Sequence, residues 1–189
     1  VLTEWQATTP SANAFAGTAR ELMRIAAAFV IHNPGELAFD PHATPGSPTY
    51  GWLYMAGGDY GSHEIGLSNQ IQRLDTLYGA VVRIDPTGGT GAPYSYGIPS
   101  DNPFANDGDP TTLGEILAYG FRNAHRIAWD PLVPGRLFAA DIGEHEIEEL
   151  NVLVAGRNYG WDEREGTFAY DRTNRTVGPL PPGDGARGY

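Results

Sequence analysis

The feature that most constrains this chain is that it repeats itself. GELAFDP at residues 35–41 is echoed by HRIAWDP at 125–131. Each is followed by a turn and a second strand-like word, GWLYMAGGD (51–59) and GRLFAADIG (135–143). Third words follow in turn, GAVVRIDP (79–86) and EELNVLVAG (148–156). From Leu37 to Ile127 the offset is 127 − 37 = 90 residues. A recurring set of short, turn-bounded strands is the pattern of a β-propeller, whose blades bury their apolar faces only by stacking on neighbours. Such blades run about 40 to 50 residues. The longer period therefore calls for an insertion, and the stretch 88–114, dense in Gly, Pro, Asn and Asp, supplies it. A flat β-sandwich is the competing architecture, but it implies shorter spacings and no matched repeat.

This reading makes the chain all-β, a propeller segment of two full four-stranded blades plus part of another. Residues 1–30 carry the end of a preceding blade, 31–87 a blade, 88–114 the inserted loop, 115–171 a second blade, and 172–189 a Pro/Gly-rich linker. Only Thr18 to Ala28 has any helical character, and its alanines fit that weakly. A propeller closes with at least about four blades, so the expectation is a fragment or one portion of an assembly. The blade faces, with Leu37, Phe39, Leu53, Met55, Ile127, Trp129, Leu137 and Phe138 drawn from both sides of their strands, cannot all be buried within one blade. Self-association through those faces is the alternative to a longer chain.

Twelve Lys+Arg against 23 Asp+Glu give a formal net charge of -11, which disfavours nucleic acid or an anionic membrane surface as partner. No apolar run approaches the roughly 20 residues of a membrane span, and the opening Val-Leu-Thr-Glu-Trp lacks the pattern of a signal peptide. The chain has no cysteine, so it has neither disulfides nor thiolate chemistry.

Chemistry is expected where loops enter the first strand of each blade, at one mouth of the central channel. The two matching loops place His32 and Asn33 in one blade and Arg122 and Asn123 in the next. Asparagine capping a turn and arginine in a surface ion pair are the ordinary readings of single residues. Polar residues at corresponding repeat positions favour a shared site. Asp59 and Asp141 also correspond, each ending a second strand, as a partner for an imidazole, a help in holding a cation, or an Asx-turn. His42, His63 and His145 have no spaced partner and read as solvated or hydrogen-bonded loop residues. NDGDP at 106–110 fails the register of a calcium loop and reads as a turn. Asn174-Arg175-Thr176 is a glycosylation sequon, relevant only in a eukaryotic secretory host.

Seven words in order, HNPGELAFDP, LYMAGGDYG, GAVVRIDP, YGIPSDNPF, EILAYGFRNAHRIAWDP, LFAADIGEHEIEELNVL and GRNYGWDEREG, cover residues 32–166. In them the chain resembles the soluble quinoprotein sugar dehydrogenases, six-bladed propellers that use pyrroloquinoline quinone (PQQ) and calcium. The same fold hosts non-catalytic relatives such as hedgehog-interacting ectodomains, which bind protein or carbohydrate. The resemblance implies oxidation of an aldose at its anomeric hydroxyl, an external electron acceptor, and a periplasmic or extracellular location. It puts the general base on His32 and its carboxylate partner on Asp59, with Arg122 and Asn123 against the quinone. It gives the backbone carbonyls of Gly143 and Glu144 to calcium, and Glu148 and Tyr159 to a second, structural calcium. Many quinone-binding members continue Arg-Asn with Pro-Gln-Gly. Here Ala124, His125 and Arg126 stand instead, so either His125 replaces the Gln contact or the subfamily has lost it. The basic residues that grip the cofactor's carboxylates belong to later blades than this chain contains.

Overall fold

A computed structural model describes residues 1–89 and 95–179. Residues 90–94 of the expected insertion and 180–189 of the expected linker lie outside it. The described chain is antiparallel β-sheet throughout, joined by turns and two single-turn 3-10 helices at His63–Ile65 and Ser68–Gln70. Strands β1 (Leu2–Ala7) and β2 (Gly17–Met23) form a hairpin, so the weakly helical stretch from Thr18 is a strand. The strand ends at Met23 and residues 24–28 are irregular; an isolated helix of so few residues is marginal, and pairing with β1 prevails over it.

The central sheet has four strands in sequence order: β3 (Glu36–Phe39), β4 (Leu53–Ala56), β5 (Ala80–Ile84) and β6 (Ile116–Tyr119). β5 reads Ala-Val-Val-Arg-Ile and is buried along its whole length, as expected of a strand covered on both faces. One face, with Tyr54, Ala56, Val81 and Ala118, packs against Ile127, Leu137 and Ala139 of the next sheet. The other, with Leu53, Met55, Val82 and Ile84, packs against Leu22 and Met23 of the hairpin. This two-sided burial of a small twisted sheet is blade stacking, and it makes the chain an all-β propeller segment.

The expected boundary at residue 115 is displaced. Ile116–Tyr119 pairs with β5 and closes the first blade instead of opening the second, so the insertion lies inside a blade, between its third and fourth strands. Asn102 causes this. Its side-chain amide donates to the carbonyls of Arg83 (2.9 Å) and Gly114 (2.7 Å) and accepts from Arg83 Nε (2.6 Å), stapling the insertion to β5 just before β6 begins. The second blade, β7 (Ala124–Trp129), β8 (Leu137–Asp141) and β9 (Glu149–Leu153), has three strands among the described residues where four were expected. The following segment pairs with itself as β10 (Arg164–Glu165), β11 (Phe168–Asp171) and β12 (Thr176–Val177).

The Asp-Pro words end their strands by a shared device. Asp40, Asp85 and Asp130 each accept the N–H of the residue two further on, at 2.8 Å, in an Asx-turn. They recur at 85 − 40 = 45 and 130 − 85 = 45 residues, marking the exits of β3, β5 and β7. NDGDP is a turn of the same kind, with Asp107 accepting from Asp109 N and Asp109 from Thr111 N.

Candidate active site

Three chain segments meet at one end of the first two blades. The His32 loop enters β3, Asp59 leaves β4, and Arg122–Asn123 precede β7. Their backbones touch: Asp59 N donates to Arg122 O at 2.7 Å, and Gly58 bridges Asn123. A Cβ on Gly58 would stand 2.6 Å from His32 O and 3.0 Å from Arg122 O, so glycine is what lets the three approach.

Asp59 is fully buried and accepts three donors: His32 Nδ1 at 2.7 Å, Gly61 N at 2.8 Å and Trp161 Nε1 at 3.3 Å. A carboxylate in that place holds the proton of His32 on Nδ1 and leaves Nε2 with its lone pair. His32 itself has a left-handed backbone, φ 54°, unusual for a residue with a side chain, which aims the ring back at Asp59.

Asp141, at the matching position of the next blade, does a different job. It accepts Arg122 N at 3.0 Å and Asn123 N at 2.6 Å, and so fixes the turn that carries both side chains. Burial pushes its carboxyl up to about 8 and the nearby Glu149 adds to this, against those two N–H groups and the Arg122 charge. The Arg122 guanidinium donates through Nη1 to Gly143 O (2.8 Å) and Ile142 O (3.2 Å) and lies 5.5 Å from the Trp161 ring centre. Arg122 Nε and Asn123 Oδ1 are buried without a hydrogen-bond partner. Buried polar atoms are seldom left so; Arg122 Nε has only the Glu144 carboxylate at ion-pair distance, 3.8 Å, and with Asn123 Oδ1 it offers a donor and an acceptor beside the His32–Asp59 pair.

Of the residues singled out in the sequence, His32, Asp59, Arg122 and Asn123 are thus brought together, and Gly143 joins them through its carbonyl. Asn33 is not; it is exposed and donates to Val30 O, capping its own turn. His125 sits exposed at a β-bulge between Ala124 and Arg126, and its ring makes none of the hydrogen bonds above. Glu148 accepts Gly143 N at 3.1 Å. The Tyr159 hydroxyl is held between Val152 O (2.7 Å) and Val154 N (2.8 Å), and its ring stacks on Phe121. Burial raises the Tyr159 hydroxyl pKa.

Four residues of this corner were given no part in a site by the sequence: His63, Glu64, Asp162 and Arg175. His63 lies buried between Asp162 (Nδ1 to Oδ2, 3.2 Å) and Glu144 (Nε2 to Oε2, 3.3 Å) and packs edge-on to Trp161. It is a hydrogen-bonded loop residue as expected, but with partners about half the chain away. Glu144 also accepts from the Tyr170 hydroxyl at 2.8 Å and from Arg175, which reaches Glu64 as well. Burial works to raise the Glu144 carboxyl, but donation from Tyr170 and Arg175, with the His63 and Arg122 charges, holds it below the ordinary carboxylate value.

For a hard cation the donor set is right in kind, since peptide carbonyls suit calcium. Of the two carbonyls that the resemblance gives to calcium, Gly143 O already accepts the Arg122 guanidinium, as does the neighbouring Ile142 O, so an ion using Gly143 O would have to displace Arg122. Among the described residues no three His, Cys, Asp or Glu side chains group as a metal site.

The profile of the Glucose / Sorbosone dehydrogenase family matches residues 26–184. HIPL1 protein of Arabidopsis thaliana is 32% identical over 155 residues, covering 78% of this chain and 21% of that protein. Aldose sugar dehydrogenase YliI of Escherichia coli is 32% identical over 124 residues, covering 64% and 30%. Among solved structures, the PQQ-bound aldose sugar dehydrogenase of Streptomyces coelicolor superposes with a TM-score of 0.52 at 31% identity, over 81% of this chain and 36% of that one. The chain therefore spans about a fifth to a third of these relatives. With the profile matched over most of its length, the chain belongs to the glucose/sorbosone dehydrogenase family.

Proposed function

We propose that this chain forms part of the active site of a PQQ-dependent aldose dehydrogenase. One observation carries the reading: a histidine oriented by a buried carboxylate at 2.7 Å stands in the same corner as a buried guanidinium Nε and carboxamide Oδ1 that lack hydrogen-bond partners. The PQQ-bound relative supports the choice of cofactor. When bound, the quinone supplies a two-electron acceptor for hydride from the anomeric carbon, the sugar leaving as its lactone. His32 Nε2 takes the proton of the anomeric hydroxyl, and Asp59 stabilises the imidazolium that results. Arg122, held over Trp161 and against the 142–143 carbonyls, brings positive charge to an electron-rich ligand. Asn123 orients the same ligand through its carboxamide. No step is assigned to calcium, since Arg122 occupies Gly143 O, one of the two carbonyls the resemblance gives to it. An external acceptor reoxidises the cofactor, and a periplasmic or extracellular location rests on the family resemblance. Among the described residues no helix is long and apolar enough to cross a membrane.

The closure of Gly143 O by Arg122 favours a second reading, a non-catalytic module that binds carbohydrate or protein at the same mouth. The likeness to HIPL1 protein supports it as a relative rather than by a stated activity. Titrating the chain with PQQ, with and without calcium, and then adding an aldose separates the two. The dehydrogenase reading expects a shift of the quinone absorption followed by bleaching, slowed about 10²- to 10⁴-fold in His32→Ala. Aldose binding with no bleaching supports the module, and bleaching at equal rates in His32→Ala removes His32 as the base.

A further inference from the structure

Glu165 on β10 has no part in the reading above, yet it is 1% exposed and among the most buried charged residues. Its Oε1 accepts four successive backbone N–H groups: Glu144 at 2.6 Å, His145 at 3.1 Å, and Glu146 and Ile147 at 3.3 Å. Consecutive N–H groups converging on one point make an anion-binding nest, and here the chain fills the nest with its own carboxylate. Glu165 Oε2 is buried without a hydrogen-bond partner, so the loop's N–H groups are what stabilise this side chain. In a trans peptide the C=O of one residue and the N–H of the next point in opposite directions. Four N–H groups turned in on Glu165 therefore turn the carbonyls of residues 143–146 away from it. The first of these, Gly143 O, is the one that accepts Arg122 Nη1 at 2.8 Å. The loop closes this tightly only with glycine at 143, where a Cβ would meet Ile147 O at 1.9 Å and Glu165 Oε1 at 2.6 Å.

We propose that Glu165 is a positioning residue of the candidate site: its carboxylate turns the 143–147 loop so that Gly143 O faces Arg122 and helps hold the guanidinium at the mouth. The link to cofactor binding rests on the dehydrogenase reading; the link to Arg122 does not. Glu165 touches neither ligand nor reacting atoms and acts only through the loop.

Amide exchange of residues 144–147, the NMR signal of Arg122 Nε–H, and PQQ affinity by fluorescence titration test this on the 189-residue chain. In Glu165→Ala the four loop amides exchange about tenfold or more faster while β5 amides stay protected. The Arg122 Nε–H signal shifts, and PQQ affinity falls about tenfold. Glu165→Gln, which keeps an acceptor oxygen but not the charge, recovers part of all three. A purely structural role would not show such graded recovery at Arg122. Unchanged loop exchange overturns the proposal, and so does a loosened loop with an unmoved Arg122 signal. If Glu165→Ala loses β5 protection and so fails to fold, Glu165→Gln decides by the same two readouts. If the unaltered chain binds no PQQ, the dehydrogenase reading falls while loop exchange and the Arg122 signal still decide the role of Glu165.

Discussion

Asp59 and Asp141 occupy equivalent places in two blades yet act on different atoms, one on an imidazole and the other on a pair of backbone N–H groups. Their substitutions should therefore fail differently. Asp59→Asn can put a donor on the wrong ring nitrogen of His32, so turnover should fall by about 10⁴ in kcat, as for a mis-set tautomer, with the fold retained. Asp59→Ala leaves three donors without an acceptor and should in addition lower stability, by about 1–3 kcal/mol for each buried group left unpaired; urea unfolding measures this. Asp141→Ala releases the Arg122–Asn123 turn, and the expected loss is in ligand affinity rather than in the pH profile of turnover. The repeat made the two aspartates legible as equivalents, because both close a second strand ahead of a glycine turn. What each accepts was not legible, since the donors come from loops 27 and 19 residues distant. His63 was still less so, its Asp162 partner lying 99 residues on.

Strand exits and the insertion staple belong to the scale of elements. Thr111 and Leu132 donate their backbone N–H groups to Asp109 and Asp130, and the backbone N–H of Leu132 is the main cause that holds the half-buried Asp130 carboxyl below its ordinary value. Because the folded pKa is depressed, the stability these turns contribute is present above the unfolded value of 3.8 and is lost as pH falls through the folded one. Asp130→Asn should flatten that acid limb in a series of urea titrations taken at falling pH, by lowering the midpoint near neutrality while leaving the midpoint in acid little changed. Asn102→Ala leaves two buried carbonyls and Arg83 Nε without a partner and should cost about 2–4 kcal/mol. Limited proteolysis between residues 86 and 115 should then become faster, since the insertion loses one of its ties to β5 and keeps only others such as Arg83 with Asp101 and Asp85 with Gly97. The Asp-Pro words announced the exits of β3, β5 and β7 in the sequence because an Asx-turn is local. The membership of Ile116–Tyr119 was not announced, because four apolar residues suit either blade and Asn102 decides between them.

At the scale of the molecule, the first blade is covered on both faces except along β3, and the second on only one. Leu37 (50%) and Phe39 (57%) on β3 and Leu150 (74%) and Val152 (52%) on β9 stand exposed, while Leu53, Met55, Ile127 and Leu137 are buried. Apolar strand faces of that kind next to an open sheet edge favour association. The mass from light scattering is expected to rise with concentration, and Leu150→Lys with Val152→Lys to suppress the rise. A mass independent of concentration in the unaltered chain would show that these faces do not associate. The amino-acid sequence by itself determined the all-β class, the paired blades and the loops that carry His32 and Arg122, because alternation, turn residues and repetition act over a few residues at a time. Tertiary structure alone decided which sheet β6 joins, that Arg122 closes on Gly143, and that Glu165 fills the nest of the 143–147 loop. Those contacts join segments distant in the chain, and their free energy depends on burial and direction, which no local run of residues specifies.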